Sequence, residues 1–242
     1  MRLSGRTALV TGAGSGIGEA LALGLAGLGA AVALVGRTEE RLATTAREAR
    51  AAGAPLVLPL PADLADEDSL RALATRVSRE LPTLDLLVHC AGLYERGAVA
   101  SAAIETLDQQ YRTNLRAPFL LTQLLLPLLS RGRGDIVFVN STQGLAASPE
   151  VGAFAATQHG LKALADSLRG EVNGFGIRVL TVFLGRTASP RQAGIFALEG
   201  RAYEPERLLQ PADVAAMVMA AIALPHRAEV TAMALRPSFK SY

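Results

Sequence analysis

Short apolar runs, free of charge and closed by turn residues, recur along the chain at residues 7–11, 31–35, 56–60, 84–88, 136–140 and 179–183. Continuous hydrophobicity over so few residues predicts strands buried on both faces, the pattern of a parallel sheet. Between these runs the apolar positions change to a period near 3.6. Helices are predicted over residues 39–52, ending at Gly53, over 66–81, ending at Pro82, and over 103–130, with a break near Pro118. Residues 154–172 and 211–224 predict two more helices, and 229–235 a last strand. Strand and helix therefore alternate as repeated βαβ units. The expectation is one α/β domain over residues 1–242, a doubly wound parallel sheet of about seven strands flanked by helices.

One stretch fits neither pattern. Residues 186–209 read as an insertion after a late strand, where an open α/β sheet keeps its ligands, and they are the expected substrate lid. Residues 20–36 carry no charge, but Gly24, Gly27 and Gly29 interrupt them, which favours a buried helix feeding a buried strand over a membrane span. Half of the 242 residues are hydrophobic, enough for a sizeable core. The 24 basic residues exceed the 22 acidic ones only slightly and are scattered, so no nucleic-acid-binding stripe is expected. The single cysteine, Cys90, excludes an intrachain disulfide framework and suits a reducing compartment, and the N-terminus shows no apolar signal core. The cytoplasm is the expected location. No metal-ligand spacing is present.

The first strand runs directly into Thr11-Gly12-Ala13-Gly14-Ser15-Gly16-Ile17-Gly18, which opens a helix. In that setting backbone N–H groups and the helix N-terminus face a pyrophosphate, and glycine lets the main chain come close. The common dinucleotide fingerprint would require glycine at Ile17. Gly12, Gly16 and Gly18 instead give the wider G-x-x-x-G-x-G spacing. The second strand closes with Val35-Gly36-Arg37-Thr38, at the position that contacts the adenosine ribose in this kind of fold. Arg37 offers a planar fork for a 2′-phosphate and no carboxylate competes there, so NADP(H) is expected ahead of NAD(H). The other reading of Arg37 is a solvated residue leading into the next helix, since the glycine-rich turn supplies no second basic residue.

With this spacing the sequence resembles the short-chain dehydrogenase/reductases, and the resemblance runs over nearly the whole chain. It rests on the glycine-rich turn and on Ala62-Asp63-Leu64 after the third strand. It rests also on His89-Cys90-Ala91-Gly92, on Asn114 in a T-N-L setting, on Val139-Asn140-Ser141-Thr142-Gln143-Gly144, and on Ile177-Arg178-Val179 leading to Leu184-Gly185. The resemblance implies a Rossmann-type domain that holds its cofactor at Gly12, Ser15, Gly16, Ile17, Gly18, Arg37, Asp63, Leu64, Ala91, Gly92, Gly185 and Thr187. It implies a small-molecule substrate and a homodimer or homotetramer formed through the helices at 103–130 and 154–172; the apolar run 120–129 is compatible with that role and equally with buried packing inside the domain. It implies, finally, a catalytic set of Asn, Ser, Tyr and Lys.

Asn114 and Ser141 match that set, but Phe154 stands at the tyrosine position and Gln158 at the lysine position. A carbonyl that accepts hydride must also receive a proton, and a phenol with a pKa of ~10, lowered by a neighbouring ammonium, can give one. Phenylalanine cannot, and glutamine keeps one hydrogen bond while losing the charge. Carbonyl–alcohol chemistry by the family route is therefore expected to be absent or strongly impaired. Alternatives are a non-redox enzyme reusing the cleft for cyclisation, dehydration or isomerisation, and a catalytically silent nucleotide-binding partner. Tyr94 and Tyr203 border the expected cleft but read first as packing residues, as do His89, Cys90 and His159, while Thr187 and Ser189 read equally as ligand contacts or turn caps. Phe196 and Tyr203 in the lid suggest an apolar or aromatic substrate.

Overall fold

The computed structural model describes residues 3–239, side chains at 130 and 132 excepted; positions 1, 2 and 240–242 of the expected domain lie outside the described residues. Seven parallel strands form one sheet: β1 (Thr7–Thr11), β2 (Ala31–Gly36), β3 (Val57–Pro61), β4 (Leu86–His89), β5 (Asp135–Ser141), β6 (Arg178–Leu184) and β7 (Ala232–Leu235). Their spatial order is β3-β2-β1-β4-β5-β6-β7. The helices are α1 (Gly16–Gly27), α2 (Glu39–Ala52), α3 (Glu67–Glu80), α4 (Ile104–Tyr111), α5 (Ala117–Gly132), α6 (Gly152–Val172), α7 (Pro190–Leu198) and α8 (Pro211–Ile222). This is the Rossmann-type α/β domain expected from the alternation.

Neighbouring strand residues pack into opposite layers, which is why the strands read as unbroken apolar runs. Leu9 packs with α3, α5 and α6 through Leu73, Leu121 and Leu161, whereas Val10 packs with α1, α2 and α8 through Leu25, Leu42 and Val218. The last strand departs from this pattern. β7 lies at the sheet edge and alternates exposed with half-buried residues, so it is covered less than the sequence suggested. Gly53 ends α2 in the left-handed conformation at φ 113°, and Asp66 caps α3 by accepting the Ser69 amide at 2.8 Å. No helix among the described residues is long and apolar enough to cross a membrane.

One expectation needs correction, and one reading left open is decided. The predicted break near Pro118 is a π-helical turn over Arg112–Arg116 that joins α4 to α5 without interruption. Pro118 has no N–H to offer the Asn114 carbonyl, and the Ala117 amide bonds instead to Arg112, five residues back. The apolar run 120–129 is mostly core: Leu120, Leu121, Leu125, Leu128 and Leu129 are buried beneath the sheet rather than presented to a partner. The outer face of this helix pair carries Leu107, Tyr111 and Phe119.

From β1 the chain winds outward to β2 and β3, and from β4 it winds the other way to β7, so the sheet changes direction between β1 and β4. The buried Thr11 hydroxyl sits at that point. It donates to the Val88 carbonyl at 3.3 Å and accepts the amides of Cys90 and Ala91 at 3.0 and 3.1 Å. Thr11→Val keeps the shape but strands two amides, and is expected to lower unfolding free energy by on the order of 1–3 kcal/mol. Urea denaturation measures this, and an unchanged midpoint would contradict it.

Candidate active site

Above the carboxyl ends of the strands lies a cleft of about 690 Å³, and every site residue expected from the sequence lines it. Its floor is the glycine-rich turn. Gly12 has φ 70°, and a Cβ there would lie 2.9 Å from the Ala91 Cα; a Cβ on Gly18 would lie 2.2 Å from the Gly12 carbonyl oxygen. Main chain therefore meets main chain, and only glycine permits both the dihedral and the approach. Ser15 precedes α1 without a side-chain cap, so the free amides of the first turn face the cleft.

At the β2 end the cleft is basic. Arg37 lines it together with Arg41, one turn into α2, a second basic residue that the sequence reading sought only in the glycine-rich turn. Asp63 lines the same end, with one carboxylate oxygen accepting the Ala65 amide at 2.9 Å. The two polar residues that end β4 are structural. His89 bonds the Thr122 hydroxyl at 2.8 Å and stacks on Phe138, and burial lowers its pKa to about 3. Burial likewise pushes the Cys90 thiol up to about 12, leaving it protonated and unreactive.

At the opposite end stand Ser141, Phe154 and Gln158. The Asn140 side chain donates to the Gln158 carbonyl at 2.9 Å and accepts the Ser141 amide, which fixes α6 against the end of β5. The Ser141 oxygen accepts the Gln143 amide at 3.1 Å, so its proton is free to point into the cleft. The Gln158 carboxamide is buried, lines the cleft, and has no hydrogen-bond partner among the described residues. Asn114 is fully engaged: it accepts the Leu93 amide at 2.6 Å and donates to the Leu93 carbonyl and the Thr157 hydroxyl. The Tyr94 ring meets Phe154 edge-on at 5.0 Å, and burial raises its phenol pKa. Lys162, one turn beyond Gln158, is paired with Asp166 at 2.7 Å on the outside, and no lysine lines the cleft among the described residues.

The segment 186–209 arches over this end and holds a helix, α7, that the sequence reading did not foresee. Its signals were Ser189, which caps it by accepting the Gln192 amide at 3.1 Å, and Pro190 in its first turn. Thr187 donates to the Gly185 carbonyl at 3.1 Å, and the Tyr203 hydroxyl accepts the Ser189 amide while its ring packs on Phe196. Tyr203 thus braces the segment and does not line the cleft. Glu199 ties the end of α7 to Arg186 at 2.9 Å and to Arg96 at 3.2 Å. His159 bonds back to the Ala155 carbonyl at 2.9 Å on the exposed side of α6. Among the described residues no cluster of His, Cys, Asp and Glu could hold a metal ion.

The family profile described as short chain dehydrogenase matches residues 6–199. A short chain dehydrogenase of Pseudocercospora fijiensis is 35% identical over 180 residues, and the match spans 73% of this chain but 58% of that protein's length. A ketoacyl reductase of Nostoc sp. is 32% identical over 205 residues, 80% of this chain and 71% of that one. Among solved structures, an actinorhodin polyketide ketoreductase with NADPH superposes with a TM-score of 0.88 at 30% identity, over 100% of both chains.

The buried imidazole next to the cleft sets a pH dependence. His89 has its ordinary pKa of 6.5 when unfolded and about 3 when folded, so between these values the unfolded chain binds the extra proton. The stability due to its neutral form is complete above pH 6.5 and is lost as pH falls toward 3. His89→Asn should flatten the acid side of the stability profile. Parallel profiles for the two proteins in denaturant titrations at successive pH values would refute that.

Proposed function

The chain belongs to the short-chain dehydrogenase family, and on that premise we propose that it holds NADP(H) in the cleft and performs carbonyl–alcohol chemistry slowly or not at all. The glycine cradle fits a dinucleotide because its close main-chain contacts leave amides, not side chains, facing the space above α1. Arg37 and Arg41 favour the cofactor with a 2′-phosphate, and the related ketoreductase was solved with NADPH. When bound, the nicotinamide supplies or accepts a hydride. In carbonyl reduction a proton would have to reach the oxygen as well, from a residue of this chain or from water.

The observation that carries the reading is the cleft wall formed by Phe154, Gln158 and Ser141. In the family resemblance the first two positions belong to a tyrosine and a lysine, and neither residue present can donate a proton as an acid. Ser141 can hydrogen-bond a carbonyl oxygen but is a poor acid. Asn114 is committed to Leu93 and Thr157, which leaves it a structural clamp. Among the described residues Tyr94 is the phenol that lines the cleft, and its raised pKa, with no lysine lining the cleft among those residues, makes it a weak donor. Removal of a general acid costs on the order of 10²–10⁴ in rate.

A small apolar or aromatic substrate suits the walls provided by Leu93, Tyr94, Phe154 and Ile195, with 186–209 as its lid. Association into a dimer or tetramer would use the outer faces of α4 and α5. The surviving Ser141 hydroxyl also supports a second reading, a non-redox enzyme that needs shape and one hydrogen bond; that reading predicts product without any change in nicotinamide absorbance.

Two measurements test the proposal. Calorimetry should show NADPH and NADP⁺ binding more tightly than NADH and NAD⁺, and equal affinities would remove the role given to Arg37 and Arg41. Phe154→Tyr with Gln158→Lys should raise NADPH oxidation on generic ketones by on the order of 10²-fold or more. No gain in a variant that still binds NADPH would count against an impaired dehydrogenase.

A further inference from the structure

Arginine is common around this cleft, and on its rim it is paired. Arg186 meets both carboxylate oxygens of Glu199, and Arg96 reaches Glu199 and Glu150. Arg191 differs. It stands in the first turn of α7, lines the cleft, and reaches across to donate to the Gly92 carbonyl beyond the end of β4. No carboxylate faces it among the described residues. Its ionisable neighbours are the Cys90 thiol, which burial keeps protonated, and Arg37, whose charge repels it. Its side chain is open to water within the cleft yet ringed by protein, and that partial desolvation lowers its pKa. One carbonyl satisfies little of a guanidinium with five N–H donors.

The next residue supplies an independent sign. Gln192 also lines the cleft, is only 9% exposed, and has its Nε2 buried with no partner among the described residues. Two adjacent side chains of one helical turn thus carry donors that no protein acceptor meets. The buried Gln192 amide is costly to leave unmet, whereas the Arg191 guanidinium, open to the cleft, leaves its remaining donors to water until another acceptor arrives. The charge of Arg191 makes that acceptor an anion.

Position selects which anion. The first turn of α7 stands opposite the glycine-rich turn, since a Cβ on Gly16 would lie 3.4 Å from the Ser189 Cβ. Gly92, where Arg191 is anchored, borders Asn114 at the substrate end, while Arg37 and Arg41 occupy the β2 end. Arg191 therefore spans the middle of the cleft. On the reading that the cleft holds NADP(H), we propose that Arg191 is the counter-charge of the dinucleotide's pyrophosphate and leaves Gly92 to clamp α7 over it. The assignment makes the lid segment part of the cofactor site. The cofactor becomes what fixes α7 in place.

The test is calorimetric titration of the whole protein and of Arg191→Gln with NADP⁺ and with adenosine 2′-monophosphate, which has the 2′-phosphate but neither phosphate of the pyrophosphate. A lost charged hydrogen bond predicts weakening for NADP⁺ on the order of ten- to a hundredfold, with a much smaller change for the monophosphate. Arg191→Lys should recover part of the loss. Hydrogen exchange gives a second readout: NADP⁺ should slow amide exchange in α7 of the wild-type protein and not in Arg191→Gln. Unchanged NADP⁺ affinity in a folded variant, or equal losses for both ligands, overturns the assignment to the pyrophosphate alone. A wild-type protein that binds no dinucleotide overturns the cofactor reading, and this inference with it.

Discussion

The cleft exists because β1 and β4 are neighbours whose chains leave in opposite directions, and one hydroxyl holds their ends at a fixed spacing. Thr11 donates to the Val88 carbonyl and accepts two successive amides, Cys90 and Ala91, just where the ladder between the strands gives out. Its position also sets the approach of Gly12 to Ala91, and through that the place of the glycine-rich turn. A parallel sheet sends all its carboxyl ends to one edge, so Gly12, just after β1, and Leu184, at the end of β6, border a single space. The cleft and the residues that line it are built around that parting of two strands.

The cleft is unevenly equipped. Its glycine-rich side has close main-chain packing, free helix amides and arginines, features suited to a large polyanion. Its substrate side has an aromatic pair, Phe154 on Tyr94, and neutral hydrogen-bonding groups from Ser141 and Gln158. Phenol and ammonium work as a unit, because the ammonium lowers the cost of the phenolate, so the loss of one removes most of the reason to keep the other. The neighbouring Lys162 does not take over, being turned outward to Asp166. Retained binding apparatus beside an altered acid–base centre is the physical content of the proposal.

The polar residues that end β4 illustrate how burial alone can settle a role. An imidazole and a thiol beside a cleft look like chemistry in a sequence, but desolvation keeps His89 neutral and Cys90 protonated. Tyr203 is similar, its hydroxyl spent on the main chain of Ser189. Arg191 is the opposite case, since nothing in its sequence setting marks it and only the folded chain shows a charge that no carboxylate among the described residues meets.

The sequence by itself determined most of the strands and helices, the sheet's parallel sense and many of the residues that line the cleft. These follow from local period, from glycine spacing and from order along the chain, all of which are written in consecutive residues. Phe154 and Gln158 are likewise read from consecutive residues, because a single helix keeps its own register. The tertiary structure decided what depends on distant segments meeting. It turned a predicted break at Pro118 into a π-helical turn that carries Asn114, assigned the leucines of α5 to the core, and folded the irregular segment after β6 into a capped helix. It brought Arg41 and Arg191 to the same cleft as Arg37. Pairing, burial and repulsion are properties of space, and no period along the chain encodes which charges will share it.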